Sequence, residues 1–73
     1  MDETRNIILK VEALKSQKKF TEAIQELQKA LTKYSDDYRL YEELADIYLY
    51  MADNIKAISA LDFALTLNPH SAT

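Results

Sequence analysis

Residues 23–32, Ala-Ile-Gln-Glu-Leu-Gln-Lys-Ala-Leu-Thr, return at 57–66 as Ala-Ile-Ser-Ala-Leu-Asp-Phe-Ala-Leu-Thr, a shift of 34 positions. Six of the ten letters are identical: Ala23/Ala57, Ile24/Ile58, Leu27/Leu61, Ala30/Ala64, Leu31/Leu65 and Thr32/Thr66. Apart from the threonines they are small or apolar, and their spacing lines one face of an α-helix. A fixed period of this length marks architectures in which each unit is one helical hairpin that buries its apolar face on its neighbours.

Outward from this pair, nothing interrupts helical pattern. The chain has no glycine and a single proline, Pro69, and no alternation of period two is sustained. Four helices fit. The first spans about 4–16, with Ile7, Ile8, Val11 and Leu14 on one face. Thr21 is the expected cap of the second, whose stripe is Ala23, Ile24, Leu27, Ala30, Leu31 and Tyr34. Ser35-Asp36-Asp37 caps the third, where Tyr41, Leu44, Ala45, Ile47 and Tyr48 align; the fourth starts at Asp53 or Asn54 and ends at Leu67. Short connections force neighbouring helices antiparallel. The expected fold is all-α: two stacked antiparallel helical hairpins in one domain over 1–73, with units at about 4–37 and 38–71.

Composition narrows the class. With 48% hydrophobic and 29% charged residues, the chain reads as soluble and globular, and no apolar run reaches membrane-spanning length. An acidic start at Asp2-Glu3 differs from a basic signal-peptide start, so a cytoplasmic protein is expected. Residues 1–34 carry seven basic and five acidic side chains, and residues 35–73 carry two and seven. Opposite ends of opposite sign favour head-to-tail association, unless the asymmetry is chance. No basic stripe with interleaved aromatics is present, which argues against nucleic acid.

Catalysis has little to stand on. The one histidine, His70, lies beyond Pro69, cysteine is absent, and no glycine exists for a phosphate loop or nucleophile elbow. Glu42 and Glu43 are adjacent on a helix and point apart, which makes a poor acid–base pair. Neither a metal site nor any other cofactor is expected.

In the second unit, Tyr41, Leu44, Ala45 and Tyr48 on the first helix and Ala57, Leu61, Ala64 and Pro69 on and after the second stand at the signature places of the tetratricopeptide repeat, which this unit resembles. The first unit is a looser copy: Ala23, Leu27, Ala30 and Phe20 fit, whereas Ile7, Lys10, Val11 and Ser35 depart from the pattern. The resemblance implies a right-handed α-solenoid fragment and a non-catalytic protein-binding role. Such proteins stack three or more repeats, so further repeats of a longer parent chain are one expectation and a homo-oligomer the other.

The resemblance also implies a concave wall made by the first helix of each unit. On it stand Arg5, Ile8, Leu9 and Glu12, then Arg39, Glu42, Glu43, Asp46, Leu49 and Tyr50. Relatives that clamp a C-terminal carboxylate use Lys, Asn and Arg here. Acids and apolar residues in those places disfavour that ligand, and Glu12, Glu42, Glu43 and Asp46 suit a basic peptide better, unless they are an ordinary solvated face. Tyr50 is the tyrosine expected to be exposed, whereas Tyr41 and Tyr48 read as core.

A second candidate surface comes from the residues alone. Ala60, Phe63 and Leu67 replace Glu26, Lys29 and Lys33 of the first copy, which widens the apolar face of the last helix. This Ala60–Phe63–Leu67 stripe is the expected assembly face, covered by another repeat, a second copy or a partner. The alternative function is therefore a structural homo-oligomerisation or scaffolding module.

Overall fold

The computed structural model describes residues 3–68 and folds them into four helices: α1 (Glu3–Ser16), α2 (Phe20–Lys33), α3 (Tyr38–Tyr50) and α4 (Asn54–Leu67). Pro69 and His70 lie outside the described residues. The protein is all-α. α1 pairs with α2 and α3 with α4 as two helical hairpins, and α3 sits between, touching α1, α2 and α4.

The 34-residue period extends to the backbone. Lys18 and Ala52, one period apart, both adopt φ of 60°. Around them Lys19 N–H donates to Leu14 O at 2.9 Å, and Asp53 N–H donates to Tyr48 O at 2.8 Å. Each is a left-handed helix stop in which the chain folds back to satisfy a terminal carbonyl. The second helices close alike, with Tyr34 N–H on Ala30 O at 2.8 Å and Asn68 N–H on Ala64 O at 2.9 Å.

Helix starts differ between the copies. Asp37 accepts from Arg39 N–H at 3.1 Å to cap α3, and Asp53 accepts from Lys56 N–H at 3.3 Å to cap α4. Thr21 does not cap α2. The stop at Lys18 places Lys19 at the cap position, where the second copy has Asp53, and Lys19 makes no side-chain cap bond. Thr21 thus falls inside the first turn and is exposed.

The core joins both hairpins through Val11, Ala23, Leu27, Ala30, Leu40, Leu44, Ala45, Ile47 and Ala60. Leu27, Leu40, Ile47 and Val11 are its largest fully buried side chains, and burying each contributes about 1.5–3 kcal/mol. Leu40 lies outside the stripe predicted for α3. It is buried because α3, alone among the four helices, has three helical neighbours. α4 has one. It packs on α3 through Ala57, Ala60 and Ala64, whose small side chains allow close approach of the two backbones.

Candidate functional surfaces

The wall of α1 and α3 is only partly the acidic surface that the sequence suggests. Lys15 reaches across from α1, with Nζ 2.8 Å from Asp46 Oδ2 and 3.0 Å from Glu43 Oε1. Burial works to lower the Lys15 pKa, but the hydrogen bond to Asp46 and the charge of Glu43 outweigh it and hold the ammonium above its ordinary value. Glu43 and Asp46 are therefore both tied to Lys15 within the fold, one ammonium against two carboxylates. Arg39 turns back to its own helix start, with Nε 3.1 Å and Nη2 2.9 Å from the two Asp37 oxygens. That contact pulls the Asp37 carboxyl below its usual range. Ile8 is half-buried against the core and offers little to a ligand.

The exposed remainder of the wall has one focus. Tyr50 is 65% exposed, and its ring stacks on Phe20 with centroids 5.7 Å apart. Glu12, Lys15, Ser16, Lys18, Phe20 and Tyr50 line a recess of about 360 Å³. Of the expected wall residues, the structure brings Glu12 and Tyr50 together there. Arg5 is exposed and Glu42 half-buried, and neither lines the recess.

Of the expected assembly face, Ala60 alone is buried: it is 6% exposed and belongs to the core, while Phe63 stacks on Tyr41 with ring centroids 5.3 Å apart. Tyr41, Tyr48, Lys56, Ala60 and Phe63 surround a shallow cavity of about 200 Å³ between α3 and α4, with Lys56 Nζ 5.8 Å from the Tyr48 ring centre. The equivalent positions in the first hairpin explain this. Glu26 pairs with Lys10 of α1 at 3.3 Å, and Lys33 with Glu3 at 3.6 Å. Tyr34 donates its hydroxyl to the same Glu3 carboxylate. This flank of each second helix faces its own hairpin partner, so the apolar residues at 60 and 67 stand where the first hairpin has ion-paired side chains. Phe63 and Leu67 remain 58% and 40% exposed at its rim.

The open face of α4 is the opposite flank. Ile58, Leu61 and Leu65 are 60%, 41% and 38% exposed, with Ile55 also exposed beside them. Their counterparts Ile24, Leu27 and Leu31 all pack in or against the core, because α3 lies on α2. Leu61, at a signature place of the second helix, stands at the middle of this strip. The signal for this face was present in the sequence: the identical triplet one period earlier is the surface on which the following hairpin sits.

No protein-family model matches the chain, and no solved structure matches it significantly. Among the described residues no helix is long and apolar enough to cross a membrane, and no three His, Cys, Asp or Glu converge as metal ligands would.

Proposed function

We propose that this chain is a non-catalytic, cytoplasmic protein-interaction module of the tetratricopeptide-repeat kind, which takes an amphipathic helix on its α4 end. One observation carries the reading. The triplet that holds the next hairpin in the first copy is repeated letter for letter in the second, and there no described residue covers it. The favoured partner presents an apolar stripe on an otherwise polar helix, as α3 does with its fully buried Leu40 and Ile47.

The recess at Glu12 and Tyr50 supports a second contact on the α1–α3 wall. The stacked Phe20–Tyr50 pair suits an apolar side chain, and Glu12 and Lys18, which line the same recess, each suit a group of opposite charge, whereas Glu43 and Asp46 are already held by Lys15.

The test is a nitrogen-15 NMR titration with a helix-stabilised peptide carrying residues 38–50 of this same chain. Amide shifts concentrated at Ile58, Leu61 and Leu65 are expected. Absence of shifts along α4 at millimolar peptide would overturn the reading.

A further inference from the structure

The other helix surfaces of this molecule do not fit the α4 strip. The outer face of α2 carries Thr21, Glu22, Gln25, Gln28 and Lys29, all exposed and polar. A head-to-tail stack would lay α1 of the next copy on α4 as α3 lies on α2. The fully buried α3 positions Leu40 and Ile47 correspond in α1 to Asn6 and Ala13. Such a stack would press the Asn6 amide against apolar side chains without a partner, which costs free energy.

α4 itself has no such conflict. Ile58, Leu61 and Leu65 stand at i, i+3 and i+7, and the only charged residues of the helix are Lys56 and Asp62. Lys56 is drawn away over Tyr48, and Asp62 lines an outer hollow with Ser59, Phe63 and Thr66. Resting on the interaction reading above, we propose that the occupant of this face is a second copy of the chain, with α4 packed antiparallel on α4 across a two-fold axis near Leu61. In that register Ile58 meets Leu65 of the partner copy, at both ends alike, which is the self-complementarity an isologous contact requires. Antiparallel pairing also opposes the two helix dipoles.

Area sets the strength. Ile55, Ile58, Leu61 and Leu65 leave roughly 300–450 Å² of apolar side chain per copy, within the range of the largest patch a monomer carries. Two copies together bury roughly 600–900 Å², below the standard size of a specific interface. The dimer is accordingly weak, with a dissociation constant on the order of 10–100 μM.

Sedimentation equilibrium of the full chain from low micromolar to millimolar concentration tests this. The mass should rise from the 8.4 kDa of one chain to twice that and stop. Leu61→Glu should weaken association at least ~10-fold, as expected for a central contact, while Phe63→Glu, on the other flank, leaves it within about 3-fold. A wild-type chain that stays single at millimolar concentration, or grows beyond two copies, overturns the proposal. Loss of the dimer in Phe63→Glu but not in Leu61→Glu does so too. Because the chain has no cysteine, Leu61→Cys gives a check that does not depend on folding of the glutamate variant. Leu61→Cys should oxidise to a linked dimer at least ~10-fold faster than Ser59→Cys on the outer face, since held pairs react at a raised effective concentration; equal rates overturn the proposal. If the chain is monomeric yet still binds the 38–50 peptide at Ile58, Leu61 and Leu65, the second-copy inference falls and the interaction reading stands. If it does neither, both fall.

Discussion

Leu27 and Leu61 are the same residue at the same place in two copies of one unit, yet Leu27 is fully buried and Leu61 is 41% exposed. The difference lies in what comes next along the stack. α2 has α3 on its flank, and α4 has no described helix there. Burial belongs to the neighbourhood and not to the side chain, so one amphipathic pattern yields a core in the first hairpin and a contact surface in the second.

The sharpest way to break this comparison is the pair of truncations Leu27→Ala and Leu61→Ala, measured by urea unfolding at low micromolar protein. Leu27→Ala should cost about 3 kcal/mol through lost transfer energy and a cavity. Leu61→Ala should cost less than about 1 kcal/mol, because its side chain already meets solvent and any collapse is free to occur. Equal costs would mean that α4 is covered in solution and that the two hairpins do not differ as described.

A smaller effect tests what the hairpins share. Lys18 and Ala52 hold the same left-handed turn, where a β-carbon is strained. Replacing either by glycine should raise stability by about 0.5–1 kcal/mol, the relief of strain exceeding the added freedom of the unfolded chain. Thermal melts should show an increase of similar size for both variants. A gain at one site alone would show that the turns are less alike than their hydrogen bonds.

The smallest effect concerns helix starts and pH. The Asp37 pKa is lowered in the fold, chiefly by its hydrogen bond with Arg39. Its contribution is therefore complete above the ordinary carboxylate value of 3.8 and is lost as pH falls through the lowered one. Asp37→Asn keeps a good helix cap but no charge, so its stability should fall less between pH 4 and pH 2 than that of wild type. Parallel acid profiles for the two proteins would remove Asp37 from the account. α2, capped by Lys19, has no equivalent group.

Much of the fold was legible from the repeat. The number of helices, their order and the caps at Asp37 and Asp53 follow from period, pattern and local chemistry. The Thr21 cap was misread because α2 begins where the turn at Lys18 releases it, and a left-handed lysine leaves no mark in the sequence. Leu40 was missed because a helix with three neighbours buries more than one stripe. On the candidate surfaces, Tyr50 was correctly expected to be exposed. The ion pairs of Lys15 with Glu43 and Asp46 were not legible, because they join two helices far apart in sequence.

α4 illustrates the limit most clearly. Large apolar residues flank its buried alanines on both sides, and the narrow polar side of Ser59, Asp62 and Thr66 does not tell which flank a neighbour covers. Substitution of Glu26, Lys29 and Lys33 by Ala60, Phe63 and Leu67 marks the flank that faces α3, where Phe63 and Leu67 stay 58% and 40% exposed, while the unchanged strip on the other flank is as open. The sequence alone determined an all-helical chain of two like units, because helix formation, turns and period depend on neighbours a few residues apart. Which of the like apolar side chains of α2 and α4 are core and which are surface was decided only by tertiary structure, because it depends on whether another helix lies against them.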